Sequence, residues 1–320
     1  MDKLLIIDGH AIMHRAFHAI PPLSTPNHEP INAVHGMVNM ILKLVQDLRP
    51  TAITVVFDEK APTFRNKALP SYQSQRPPMA PELSSQFDKA KEFLKASKIP
   101  VYSMPGYEAD DVIGTLAEDA VRGQSPEVGK KNTKLQAPSS NFSEVVIVTG
   151  DKDQLQLVDD KKNIKLFMPI GGLANGKLFG ETETIERMGV AATQVADLKG
   201  LIGDPSDNYK GVPGIGPKTG TDLLSKYKSL ENVYKHLEEI KPSVKEKLEK
   251  GRAEADLSFK LATIVRDVPI KFDFDKMAEW KLDSPDVIKL FTEEFGFKTI
   301  TERIKKIGED LEKEKQGSLF

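Results

Sequence analysis

Three short, largely branched apolar runs, Leu4 to Ile7, Ile53 to Phe57 and Val145 to Val148, do not alternate between apolar and polar positions, Thr54 being their one polar residue. A strand with one wet face alternates, whereas a strand covered on both faces does not, so the runs predict parallel strands at the centre of an α/β sheet. Between the first two, Val34, Met37, Val38, Ile41, Leu42 and Val45 recur at helical spacing, and Pro50 ends a crossover helix over residues 33–48. A helix from about Pro81 to Ser97 precedes a strand-like Val101-Tyr102, and another opens near Glu108 with Val112, Ile113, Leu116 and Ala117 on its apolar side. Later, Gln154-Leu155 start a short helix, Ile164 to Met168 form a strand, Gly171-Gly172 mark a turn and Thr182 to Met188 a helix. Periodicity fails in two places. Thr63 to Pro78 is basic, aromatic and broken by proline, and Arg122 to Ser143, rich in Gly, Ser, Pro, Asn and Lys, reads as a mobile insertion.

Each of the three apolar runs leads into aspartate: the first into Asp8, the second into Asp58, the third into Asp151 and Asp153. These positions lie beyond the carboxyl ends of strands, where open α/β sheets place their ligands. Glu108, Asp110 and Asp111 join them from the first turn of a helix. Acids suit a helix N-terminus on their own account, but that does not explain three buried strands ending in aspartate. Carboxylates crowded together repel, so something positive belongs among them. Oxygen ligands without cysteine point to magnesium or manganese, and so many acids suit two ions better than one.

Composition narrows the setting. The 320 residues, 39% hydrophobic and 29% charged, suit a soluble globular protein of one elaborated domain or two. No apolar stretch reaches membrane-spanning length, and Met1-Asp2-Lys3-Leu4 runs straight towards a strand without a secretory pattern. The absence of cysteine fits a reducing cytoplasm. A net charge of −2 argues against nucleic acid only until metal neutralises the acids, which leaves Lys and Arg in excess elsewhere.

Other residues suggest what the site handles. His10, His14 and His18 recur at spacings of four, a pattern able to bind zinc, but the neighbouring acids suit harder ions. Arg15 beside them is suited to gripping a phosphate. Tyr72 and Arg76 are of the types that stack a base and hold single-stranded backbone, although a plain solvated loop accounts for the same composition. Further on, Gly214-Ile215-Gly216 permits a tight turn whose backbone approaches a phosphate, followed by Lys218, Thr219, Lys226 and Lys228. That arrangement reads as a helix-hairpin-helix contact to duplex backbone.

With these motifs in hand, the chain resembles the 5′ nuclease of bacterial DNA polymerase I and the related flap endonucleases. The resemblance rests on Asp8-Gly9 with Arg15 and Phe17, Phe57-Asp58 with Phe64-Arg65, and Gly106 to Asp111. It continues through Thr149 to Asp153 and Gly203 to Asn208 before Gly214-Ile215-Gly216. It implies a mostly parallel sheet flanked by helices, a PIN-like nuclease core, with a helix-three-turn-helix that binds downstream duplex and a potassium ion. It assigns Asp8, Asp58, Glu108, Asp110 and Asp111 to a first divalent ion and Asp151, Asp153, Asp204 and Asp207 to a second. Arg15, Arg65 and Arg76 fall to the reacting phosphate, and Tyr72 and Gln73 to an arch over the active site, where the family commonly has lysine at position 73.

The expected organisation is a nuclease core over 1–195 with an arch at about 60–98 and the insertion at about 123–143, a helical DNA-binding region over 196–308, and a flexible tail over 309–320. The expected activity is cleavage of 5′ flaps and 5′ ends of branched DNA in replication and repair, by a monomer in the cytoplasm near the nucleoid. The alternatives are a catalytically silent DNA-binding module and an RNA-cutting nuclease of related fold. In the tail, Gln316, Leu319 and Phe320 resemble the peptide that bacterial proteins insert into the sliding clamp, which suggests a free-standing nuclease recruited by it.

Overall fold

A computed structural model describes residues 2–122, 142–170 and 176–317. β1 (Lys3–Asp8) leads into α1 (Gly9–Ala19) and α2 (Asn32–Leu48), and the chain returns as β2 (Ala52–Val56). α3 (Phe64–Ala68), α4 (Pro81–Ser84) and α5 (Gln86–Ala96) precede β3 (Val101–Tyr102), after which α6 (Ala109–Val121) crosses to β4 (Glu144–Val148). β5 (Ile164–Pro169) and β6 (Gly176–Phe179) complete a six-stranded sheet of order β3-β2-β1-β4-β5-β6. Every pairing is parallel except that of β5 with the edge strand β6.

The unalternating strands are buried on both sides, as their composition requires. In β1, Leu5 and Ile7 pack with α1, α2 and α5, while Leu4 and Ile6 pack with α6 and with Ile264 to Met277. Each such fully buried aliphatic side chain contributes about 1.5–3 kcal/mol through removal from water. α2 stops at Arg49, which takes the left-handed conformation (φ 49°) ahead of Pro50. Its N-terminus lacks a side-chain cap of its own, and the buried Gln86 of α5 supplies one by accepting from the Ala33 N–H at 2.7 Å.

A second layer is helical. α7 (Glu181–Met188) and α8 (Val195–Ile202) are followed by the short antiparallel pair β7 (Gly203–Asp204) and β8 (Tyr209–Lys210). Then come α9 (Pro217–Tyr227), α10 (Leu230–Lys235), α11 (Pro242–Lys250) and α12 (Arg252–Ala262). Val195, Leu198, Leu201, Leu224, Val233, Leu248 and Ala255 form a core of their own here. The end of the expected DNA-binding region behaves differently: Leu282, Phe291, Phe297 and Ile304 return to pack beside α2 and α5.

Several expected boundaries shift. The helix drawn from 81 to 97 is two, parted at Ser85. The insertion is outside the described residues from 123 to 141, but Phe142 at its end is buried core. The turn at Gly171-Gly172 also lies outside them. The tether expected from residue 309 is instead the continuation of a helix over Lys298–Gly317, consistent with the strong helix propensity of Glu and Lys. Among the described residues, no helix is long and apolar enough to cross a membrane.

Candidate active site

The sheet delivers acids to one place. Asp8 ends β1, Asp58 lies just past β2, and Asp151 follows β4, so three carboxylates stand at the carboxyl ends of neighbouring strands. Strand order reverses direction between β1 and β4, which opens a crevice there. Gly9 permits the close approach: a Cβ at this position would lie 2.4 Å from the Phe57 ring. Glu108 caps α6 and Asp110 lies in its first turn, while Asp153 and Asp207 come from the loops after β4 and β7. Asp8, Asp58, Glu108, Asp110, Asp151, Asp153 and Asp207 all line one cleft of about 1050 Å³, together with Arg15, Arg76, His14 and His18.

The first group of acids is fixed by neutral donors. Asp8 accepts from the Ala11 N–H at 2.9 Å, the Thr149 hydroxyl at 2.8 Å and the Gln154 amide at 3.0 Å. Gln154 also donates to Asp110 at 2.6 Å, which ties the end of β1 to α6. Asp58 accepts from the Ala109 N–H at 2.7 Å, and its own N–H donates to His10 Nδ1 at 3.0 Å. Burial pushes Asp8 up to about 7, and burial with the charge of Asp151 pushes Asp110 well above the usual carboxylate range. Burial likewise lifts Asp151, and it carries Glu108 up to about 7 despite the Arg65 guanidinium beside it.

The second group carries its own cations. Carboxylate oxygens of Asp153, Asp204 and Asp207 lie within 4.8 Å of one another. Lys199, reaching in from α8 with its side chain 6% exposed, lies 2.9 Å from Asp153 and in contact with Asp204. Against burial, the hydrogen bonds from Lys199 and Ser206 hold Asp204 down at about 2. Burial and the charge of Asp151 still push Asp153 up to about 7. Asp207 is met by Arg76 at 2.5 Å, the Tyr72 hydroxyl at 3.2 Å and the Gln73 amide at 3.3 Å. The sequence reading missed Lys199, Gln154 and Thr149. Lys199 sits five residues before Asp204 on a helix whose only other charged residue is Asp197, and that was the available signal.

Three expectations need correction. Asp111 does not face the cleft: it is fully buried and both its oxygens are taken by Arg65 at 2.7 and 2.9 Å, with the Val265 and Glu108 N–H groups also donating to it. Arg65 is spent in the same way, since it also donates to the Leu261 and Thr263 carbonyls. It therefore ties α6 to the helical layer, and the rest of its guanidinium borders the cleft beside Glu108 at 3.4 Å. Tyr72 is 5% exposed, with its ring stacked on Tyr209, so no face is left for a base. Arg15, by contrast, lines the cleft with no carboxylate partner among the described residues. The histidines of α1 also face the cleft, but they join no cluster of metal-ligating groups among the described residues.

The glycine turn forms as expected between α8 and α9. Gly214 takes φ +80°, Ile215 is buried in the helical core, Gly216 caps α9, and Lys218 and Thr219 occupy its first turn. Lys247 of α11 lies against Gly214 and donates to its carbonyl at 3.1 Å. An ammonium thus already serves one carbonyl of the hairpin, the turn to which a potassium ion was expected to bind. The side chain of Gln316 and the whole of Leu319 and Phe320 lie outside the described residues.

An all-oxygen set of buried carboxylates held apart by hydrogen bonds suits hard divalent cations. Residues 3–189 match the family described as 5′-3′ exonuclease, N-terminal resolvase-like domain, and residues 190–286 match 5′-3′ exonuclease, C-terminal SAM fold. A 5′-3′ exonuclease of Aquifex aeolicus is 34% identical over 322 residues, covering 100% of each chain. DNA polymerase I of Caldicellulosiruptor bescii is 40% identical over 304 residues, 94% of this chain but 33% of the polymerase. The chain thus spans about a third of the length of such polymerase relatives. Among solved structures, T5 5′-exonuclease with bound zinc ions has a TM-score of 0.61 at 19% identity, covering 96% of this chain and 98% of that one. The catalytic core of Rad2 in complex with DNA substrate has a TM-score of 0.56 at 15% identity, covering 96% and 91%. At those identities the likeness is one of fold. With both halves matched and a full-length relative a third identical, the chain belongs to the 5′-3′ exonuclease family.

Proposed function

We propose that the chain hydrolyses phosphodiester bonds at 5′ flaps and 5′ ends of branched DNA, with two magnesium or manganese ions held by its two groups of acids. The observation that carries this reading is the convergence of Asp8, Asp58, Glu108, Asp110, Asp151, Asp153 and Asp207 on one cleft that also holds Arg15. Asp8, Asp58, Glu108 and Asp110, with Asp151 between the groups, would hold one ion, and Asp153, Asp204 and Asp207 the other. Bound there, such ions lower the pKa of water and neutralise charge on a phosphate under in-line attack. The chain's own part is to hold and orient. Thr149 and Gln154 fix Asp8 and Asp110, Arg15 offers a guanidinium to the phosphate, and the hairpin with Lys218 and Lys247 tracks duplex backbone. No side chain need act as a nucleophile.

Cleavage of an end-labelled 5′ flap in magnesium, with and without a chelator, tests the reading, and the same flap in RNA separates the RNA-cutting alternative. Loss of cleavage on chelation, with DNA preferred, is expected. Cleavage that persists in chelator would refute it. Recruitment by the sliding clamp is a separate proposal, supported only by the sequence Gln316 to Phe320. Deleting those residues should remove binding to a purified bacterial clamp and leave cleavage in isolation unchanged. Equal clamp affinity with and without them would end that idea.

A further inference from the structure

The two groups of acids differ in a way that a simple pair of ion sites would not require. Among the described residues, no lysine or arginine is paired with Asp8, Asp58, Asp110 or Asp151, and in the first group only Glu108 has one, Arg65 at 3.4 Å. Every acid of the second group is paired. Lys199 serves Asp153 and Asp204 from a buried helical position, and Arg76 serves Asp207 from the arch.

The two cations are not alike. Lys199 is enclosed in the helical layer and cannot leave without repacking α8. The Arg76 side chain is 52% exposed and opens onto the cleft that Arg15 lines. Its segment is clasped to the acid loop by detachable polar contacts. The Gln73 N–H donates to the Asp207 carbonyl at 3.0 Å, the Asn208 amide donates to the Ser71 carbonyl at 2.7 Å, and Gln75 donates to the Pro205 carbonyl. Gln73 (φ 55°) and Asn208 (φ 59°) both hold left-handed backbone at the clasp, a conformation asparagine takes readily and glutamine less so. A guanidinium is also the side chain best matched to a phosphate, which can take it from a carboxylate.

We propose that Arg76 is a latch on the second ion site: it neutralises Asp207 until a nucleic-acid phosphate draws it away, so that the second divalent ion is admitted together with the substrate. The proposal rests on the reading of these acids as ion-holding. By linkage, whatever factor the nucleic acid gains for the second ion, the ion returns to the nucleic acid. Lys199 stays in place and keeps the emptied group from repelling itself apart.

The test is titration of Mn2+ into the whole protein without nucleic acid, followed by electron paramagnetic resonance. Wild type should bind one ion tightly and a second weakly. Arg76→Ala should tighten the second ion by at least about fivefold, the lower end of ordinary coupling between sites, while slowing flap cleavage. Arg76→Lys, which keeps a cation, should stay near wild type in ion binding. Lys199→Met should also tighten the second ion, with a melting curve to show that it folds. A residue that only touched substrate would leave Mn2+ binding unchanged, so equal second-ion affinity in wild type and Arg76→Ala overturns the latch. If Asp110→Ala binds Mn2+ as wild type does, or no Mn2+ binds at all, the ion-site reading itself has failed.

Discussion

Asp110 and Asp111 are neighbours on the first turn of one helix, yet they belong to different kinds of structure. Asp110 points into the cleft among other carboxylates, held by a neutral amide from Gln154 and pushed well above its ordinary pKa by burial and by Asp151. Asp111 points into the core and is matched donor for donor by Arg65 and two backbone N–H groups. The same side chain is therefore an unmet electrostatic demand at one position and a finished internal joint at the next. Successive residues of a helix point about 100° apart, which suffices to part the two environments.

The sharpest way to break this contrast is to remove each in turn. Asp110→Ala should cut cleavage by more than about 100-fold, beyond the loss usual for partners of metal ligands, and should raise the melting temperature of chelated protein by relieving repulsion. DNA binding in calcium should persist if, as proposed, the hairpin holds the duplex backbone on its own. Near-normal turnover in a flap assay would erase the distinction. Asp111→Ala should instead cost about 3–5 kcal/mol of folding stability by stranding a buried guanidinium. Urea unfolding measures it, and a loss below about 1 kcal/mol would show that Arg65 finds another partner.

A third measurement concerns the groups rather than single acids. Asp8, Glu108 and Asp153 are raised from ordinary values near 4 to about 7 by burial. The folded chain thus holds protons that the unfolded chain has lost, so without divalent ions stability should fall as pH rises from about 4 to about 7 and level off above. Asp204, held at about 2, works the other way, and its contribution is lost only as pH drops through that value. Melting curves in chelator should show higher stability at pH 5 than at pH 8, and magnesium should recover more at pH 8. A curve flat across that range would mean that the acids are neutralised by other means. The smallest expected effect lies at the hairpin. With Lys247 on the Gly214 carbonyl, duplex affinity should be the same in potassium and sodium at equal ionic strength, by anisotropy, and clear potassium dependence would show that the ammonium gives way.

Much of this was legible in the sequence because it is carried by local rules. Apolar runs such as Val145 to Val148 declare buried strands, and an acid within three residues of the end of each such run is placed at the sheet's rim by chain direction alone. What the sequence concealed is the direction in which a side chain points once two carboxylates are adjacent, as at Asp110 and Asp111. Pairings across long separations were hidden too: Arg65 with Leu261 and Asp111, Tyr72 with Tyr209, and Lys199 with Asp153 are set by tertiary packing and leave no periodic trace. Gln154 was hidden for a different reason, since an amide among acids reads as an ordinary polar residue until its two acceptors are seen.

The return of residues 282–307 to the face of α2 and α5 also bears on how the molecule is made. A ribosome delivers the strands and α2 long before Leu282, Phe291 and Ile304 emerge, so the apolar flank that these residues cover must wait uncovered while the whole helical layer is synthesised. Closing contacts between positions so far apart in the chain is slow, and exposed apolar surface in the interval invites aggregation. Truncations within the last helix should therefore yield a chain that accumulates as insoluble material, even though every proposed ligand to the divalent ions is already in place.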